Sequence, residues 1–414
     1  MTKTEYPSPA SALAIPEFRF LMTGRFLFIA ALRMMGTLLG WWVYELTGDP
    51  LAIGLIGLAE VVPAVGLALY AGHVIDISEK KSLLRKGILA YAVCALCLCA
   101  LAGSSPQTFG GVNSVTAIIY AIVFATGIIR AFIGPLFSTL LASVVPRPLL
   151  QNATTWNQGV WLSASVIGHA SAGFLIAGLG NAGSLVTVLV LISLGFGLLA
   201  PIQKRPPVAS NKEKGSWESV KEGLRFVYKT KELLGALTLD LFAVLFGGAV
   251  AMIPVFAKDI LGTGPIGFGW LNAATDIGAI AVIAWLALFP LQKKQGQTLL
   301  LAVGGFGVCI LVFALSTWFW LSFAALVLSG ILDGISVVIR GTIVQMKTPD
   351  AMRGRVMSVN SMFINSSNEL GQFESGVAAK LMGVIPSVLF GGTMTLVVVA
   401  LTWFKAPSLR KMEY

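Results

Sequence analysis

Apolar residues run along this chain in long blocks of similar length, separated by short polar segments. A helix rises 1.5 Å per residue, so crossing a bilayer takes about 20 mainly apolar residues. Blocks of that kind fall at roughly 20–44, 51–75, 83–103, 112–143, 150–177, 182–202, 232–260, 265–289, 297–316, 319–346, 354–382 and 384–406. Some of them, such as 182–202 and 384–403, are apolar on every face, which does not suit the outer helix of a soluble core. Twelve membrane spans are therefore predicted. They are predicted to be helical, because in hydrocarbon each span must satisfy its own backbone hydrogen bonds.

Composition narrows the picture further. Hydrophobic residues make up 56% of the 414 and charged residues only 12%, too little polar surface to coat a soluble core of this size. The formal charge of +10 would suit nucleic acid, but the basic residues stand beside span ends and form no basic stripe interleaved with aromatics. Their placement sets topology instead. Lys80, Lys81, Arg85, Lys86, Arg147, Lys204, Arg205, Lys293, Lys294, Lys347, Arg353, Arg355, Arg410 and Lys411 fall on one side, against chiefly Lys258 and Lys380 on the other. The positive-inside rule then puts both termini in the cytoplasm of a multi-pass protein of the cell inner membrane. A polar first 15 residues and a long first apolar block argue against a cleavable signal peptide. Cys94, Cys97, Cys99 and Cys309 all lie inside spans and read as small packing residues.

Within this pattern the chain repeats. Pro146, Asn157, Gly168 and Gly173 return 203 positions later as Pro349, Asn360, Gly371 and Gly376. Ile53, Gly54, Leu58, Lys80 and Lys81 return 213 positions later as Ile266, Gly267, Leu271, Lys293 and Lys294. The ten-residue difference points to an insertion in the first half, in the loop 103–114. The expected organisation is an N-terminal six-helix bundle at 1–202, a cytoplasmic amphipathic linker at 203–231 and a C-terminal six-helix bundle at 232–414. An even number of spans per half gives the two repeats the same orientation in the membrane, an organisation found in transporters.

The chain shows no phosphate-binding loop, no H-E-x-x-H, no G-x-S-x-G and no paired-cysteine metal spacing, and it has only two histidines. No enzyme activity, metal or cofactor is expected, and an ion or solute gradient is left as the drive. The loop after the second span reads Gly72-His73-Val74-Ile75-Asp76-Ile77-Ser78-Glu79-Lys80-Lys81. It resembles motif A of the major facilitator superfamily, G-x-x-x-D-[RK]-x-G-[RK]-[RK], at Gly72, Asp76, Lys80 and Lys81, and departs from it at Ile77 and Glu79. Arg130 to Gly134 resembles the R-x-x-x-G core of motif B. Gly168-His169-Ala170-Ser171-Ala172-Gly173 stands where antiporters carry G-P-x-x-G-G, with His169 replacing the proline and Ala172 replacing a glycine. The likeness runs nearly end to end and is similar to the branch holding enterobactin-exporter-like proteins and drug:proton antiporters.

That resemblance implies the twelve-helix major facilitator fold and a conformational gate made by Gly72, Asp76, Lys80, Lys81, Arg353 and Arg355. In the family the motif A aspartate meets the N-terminus of span 11, where unpaired N–H groups favour an anion. The motif B arginine, here Arg130, is often tied to proton coupling.

An ionisable group at the bilayer centre costs roughly 2.5–3.5 kcal/mol, so each should be paired or face a watery cavity. Arg33, Glu60, Asp276, Asp333 and Glu369 are expected to line such a cavity. Arg340 is a further candidate, although Arg130, Asp240 and Arg340 read equally as locks between helices. Asn365 and Asn368 in span 11 and Trp156 in span 5 add hydrogen-bonding and stacking groups suited to a polar organic solute. Glu60, Arg130, His169 and Glu369 are the candidates for proton coupling; a histidine changes charge near neutral pH with little help from its surroundings.

The function expected from all this is proton-coupled export of an amphipathic or anionic solute, siderophore-like or drug-like, by alternating access of a monomer. Its partners are then small organic solutes, protons and the lipid bilayer. Uptake of an anionic siderophore or metabolite is the alternative; a lipid flippase and a non-transporting membrane sensor are others.

Overall fold

The structure is a computed structural model that describes residues 11–204, 216–289, 291, 293–349 and 352–413, and no strand occurs among them. Five helices open the chain: α1 (Pro16–Thr47), α2 (Pro50–Gly66), α3 (Ala68–Ile77), α4 (Lys80–Ala102) and α5 (Val112–Val144). Then follow α6 (Leu150–Leu198), α7 (Ser216–Lys229), α8 (Lys231–Phe246), α9 (Gly264–Leu288) and α10 (Gln295–Leu315). The last three long helices are α11 (Phe319–Lys347), α12 (Arg353–Met382) and α13 (Val384–Lys405).

Among the described residues, nine helical segments are long and apolar enough to cross a membrane. Three of the expected spans depart from that description, each for its own reason. The blocks 150–177 and 182–202 run together as α6, bent at Gly180, whose φ of 67° and ψ of −173° suit a residue without a Cβ. The block 51–75 is divided between α2 and α3, just after Pro63, which lacks an N–H and crowds the preceding turn. Helix α12 has 30 residues, but Asn360, Ser366, Ser367, Asn368, Glu369, Gln372 and Glu374 make it polar. The block 232–260 is irregular as well: α8 stops at Gly247, and tight turns lead into a π-helical turn, Phe256–Ile260.

Contacts divide the chain into two compact units, residues 1–38 with 66–211 and residues 39–65 with 212–414. The cut does not follow the linker alone, because the end of α1 and nearly all of α2 belong to the second unit. Four contacts hold them there. Trp41 lies 5.3 Å from the Phe268 ring, and the Tyr44 hydroxyl donates to the Asp259 carboxylate. Lys380 pairs with Asp49 at 2.7 Å, and α2 lies against α12 through Gly54 and Gly57. Linker helix α7 also packs in this unit: Glu222 pairs with Arg355 at 2.6 Å, and Val227 enters a core with Leu237, Ile339 and Val359.

Lipid tails are as apolar as leucine, so helices in a bilayer gain little by hiding apolar surface from them and associate through close contact of small residues. Each unit shows this. In the first, a Cβ on Gly168 of α6 would stand 2.6 Å from the Ala30 carbonyl oxygen and 2.8 Å from the Arg33 Cβ, both in α1. In the second, a Cβ on Gly371 of α12 would stand 2.9 Å from the Val244 oxygen in α8. These contacts decide which polar side chains meet.

Candidate functional site

In the first unit the Gly168 contact brings the middle of α1 against α6. Arg33 then lies with its guanidinium 5.0 Å above the Trp161 ring, two turns before Gly168 on the same helix. One turn beyond Arg33, the Thr37 hydroxyl meets His169 Nδ1 at 2.5 Å, with the donor set by the histidine tautomer. Asn157, buried one turn before Trp161, extends the face. A cation held over an indole gains about 0.5–2 kcal/mol. Its planar fork of N–H donors matches a carboxylate, and the ring offers a stacking surface. The face therefore combines a fixed cation, an aromatic surface and an imidazole.

The second unit carries two polar groupings. Arg340 of α11 is ion-paired with Asp240 of α8, and both side chains are buried. Asp333 lies two turns before Arg340 and lines with Asp240, Phe306 and Ser336 an internal cavity of about 10 Å³, about the space of a single water probe. Asp240 thus pairs with Arg340 and lines the same cavity as Asp333.

The other grouping follows from α2 meeting α12. A Cβ on Gly57 would stand 2.9 Å from the Glu369 oxygen, and one on Gly54 would stand 3.0 Å from Gly376 Cα, so the helices run antiparallel. Gln372 Nε2 donates to Glu369 Oε2 at 3.2 Å, and Glu369 is buried. Glu60, one turn beyond Gly57, continues this register toward residues 365–368. Asn368 is exposed; the side chain of Asn365 lies outside the described residues.

The remaining candidates are more dispersed. Asp276 is half-buried on α9, two residues before Gly278, where α9 meets α11. Arg130 is half-buried on α5. Trp156 is 38% exposed near the start of α6. Of the motif A residues, Gly72 sits on α3 and Lys80 opens α4, while the side chain of Asp76 lies outside the described residues. Lys81 is buried and its ammonium donates to the Ala200 carbonyl at 2.8 Å. Arg353 is exposed and Arg355 is engaged by Glu222. Both Lys81 and Arg355 thus have partners inside their own units.

Sequence reasoning passes over Thr37, a common residue with nothing local to mark it. It also passes over Arg25, which is 9% exposed with its guanidinium 5.0 Å from the Phe137 ring. Arg25 is visible as an arginine inside the first apolar block, but its place near the end of that block conceals how deeply it is buried.

Similarity to known proteins agrees with this architecture. The family model described as Major Facilitator Superfamily matches residues 21–372. The enterobactin exporter EntS of Escherichia coli O1:K1 / APEC is 25% identical over 413 residues, covering 96% of this chain and 94% of that protein. The multidrug efflux pump Tap of Mycobacterium tuberculosis (strain ATCC 25618 / H37Rv) is 22% identical over 389 residues, covering 90% and 89%. Among solved structures, a POT family transporter in complex with 5-aminolevulinic acid aligns with a TM-score of 0.72 at 12% identity, over 95% of this chain and 96% of that one. The nucleoside transporter NupG aligns at 0.71 with 13% identity, over 95% and 98%. At such identities the solved structures speak to the fold alone.

Proposed function

Since the chain belongs to the major facilitator superfamily and is a multi-pass membrane transporter, we propose that it exports an amphipathic or anionic organic solute, siderophore-like or drug-like, in exchange for protons. The observation that carries this reading is the Arg33–Trp161 platform: a fixed cation on an aromatic face, with the imidazole of His169 beside it against the Thr37 hydroxyl. An anionic aromatic solute would meet charge and stacking together. The similarity to an enterobactin exporter and to a multidrug efflux pump supports the direction and the class of cargo.

In this reading the protein crosses the inner membrane twelve times with both termini in the cytoplasm and works as a monomer by alternating access. Arg33 and Trp161 recognise the solute, with Glu60, Glu369, Asp276, Asp333, Asn365, Asn368 and Trp156 shaping the polar path. His169, Glu60, Glu369 and Arg130 handle protons. Arg340, held by Asp240, fixes α8 against α11. Gly72, Asp76, Lys80, Lys81, Arg353 and Arg355 bias the conformational change.

Proteoliposomes with an imposed proton gradient test this directly. Accumulation of a labelled catecholate or anionic drug should follow the gradient and collapse with a protonophore. Glu369→Gln or His169→Ala should uncouple accumulation from the gradient while leaving solute exchange intact. If Glu60→Gln, Glu369→Gln and His169→Ala all leave gradient-driven transport unchanged, the proton assignment is wrong. Uptake is the second reading, favoured by His169 and Ala172 standing where exporters carry proline and glycine. Counterflow in oriented vesicles decides between the two directions.

A further inference from the structure

The first unit holds a second cationic feature, of which the transport reading uses only Lys81. Between the N-terminal end of α4 and the C-terminal end of α6 lies a cavity of about 170 Å³, lined by Lys81, Ser82, Arg85, Lys86, Phe196 and Lys204 together with the apolar Leu89. At about 30 Å³ per water it has room for about six waters, enough for a phosphate group. Four of these residues are cations and none is a carboxylate.

The donors in this cavity are only partly used. The Lys81 side chain is 7% exposed and gives one hydrogen to the Ala200 carbonyl at 2.8 Å, which leaves its ammonium two more. The Arg85 guanidinium lies 4.4 Å above the Phe196 ring, and its buried Nε has no hydrogen-bond acceptor. The neighbouring carboxylate, Glu79, is turned to the backbone and accepts from the N–H groups of Lys81 and Ser82 at 2.9 and 2.8 Å. It therefore occupies the helix end, and an anion in the cavity would be held by side chains.

We propose that this cavity binds the phosphate of an anionic membrane phospholipid. A guanidinium fork and two or three ammonium groups match phosphate oxygens in charge and in donor number. Basic pockets between spans recognise anionic headgroups in this way. An apolar track distinguishes a lipid from free phosphate. On α4, Leu89, Val93 and Leu96 follow i, i+4, i+7 spacing and are about half exposed. On α6, Val186, Val190 and Leu194 form a similar exposed stripe that leads toward Phe196. The two helices pack against each other, so acyl chains can lie along these stripes with the phosphate at their basic end.

Native mass spectrometry of the full chain in detergent, with phosphatidylglycerol, cardiolipin or phosphatidylcholine added, tests the assignment. The two anionic lipids should be retained in preference to phosphatidylcholine. Each cation near an anionic headgroup contributes about fivefold in binding, so Arg85→Gln with Lys204→Gln should weaken retention about 25-fold. Arg85→Lys keeps the charge and should retain most of the binding, and melting of each variant without added lipid checks that it is folded. Equal retention of phosphatidylcholine, or unchanged retention by a folded double variant, overturns the proposal. Inorganic phosphate raising the melting temperature as much as phosphatidylglycerol does would overturn the lipid assignment in favour of a soluble anion.

Discussion

Gly168 and Gly371 stand 203 residues apart and occupy the same place in their respective units. Each is the point where one helix touches the backbone of the first long helix of its half, α1 for Gly168 and α8 for Gly371. A shared residue type at a shared spacing thus marks a shared contact.

Adding a methyl group at either position should destabilise the protein by about 1–3 kcal/mol, the usual cost of overpacking. Gly159→Ala is the control in the same helix as Gly168, because its Cβ would enter open space. That change should be neutral or stabilising by up to about 1 kcal/mol, from helix propensity. Thermal melting in detergent measures all three. Equal melting temperatures for Gly168→Ala and Gly159→Ala would contradict the contact.

The Asp240–Arg340 pair is buried on both sides, so removing either partner strands the other charge. Arg340→Met alone should cost about 3–5 kcal/mol, whereas Asp240→Leu combined with Arg340→Met should recover most of that loss. A double-mutant cycle on unfolding reads the coupling directly. Strict additivity of the two single changes would mean that the pair contributes no coupling.

The bend in α6 makes a prediction about the backbone. Gly180 has a conformation that is essentially reserved for glycine, so Gly180→Ala should cost about 1–3 kcal/mol. Gly178→Ala, two residues away with open space and ordinary backbone angles, should cost far less. Comparing their melting temperatures isolates backbone strain from volume.

For solute recognition, Trp161→Leu should raise the apparent KM for an anionic aromatic solute about 2- to 30-fold, the equivalent of a cation–π contact of about 0.5–2 kcal/mol. Arg33→Lys should show an intermediate effect, keeping the charge but losing the planar fork. An Arg33→Ala variant that transports an anionic solute with parental KM would remove Arg33 from the binding path.

Much of this molecule is legible in the order of its residues. An apolar span is a local property of about 20 residues, so the helical class, the membrane as solvent and the polar character of 365–372 are all plain from the chain itself. Gly72, Asp76, Lys80 and Lys81 carry the family resemblance for the same reason. What each intramembrane charge faces is not legible there, because partners depend on how far helices rotate and how closely they approach. Asp240 meets Arg340 across 100 positions, and Thr37 meets His169 across 132. Only the tertiary structure assigns 39–65 to the second unit, joins two expected spans through Gly180, and encloses Lys81 and Arg85 in a cavity with Lys204. Sequence determines which groups are costly in a bilayer; the packing of backbones at glycine contacts decides where those groups find their partners.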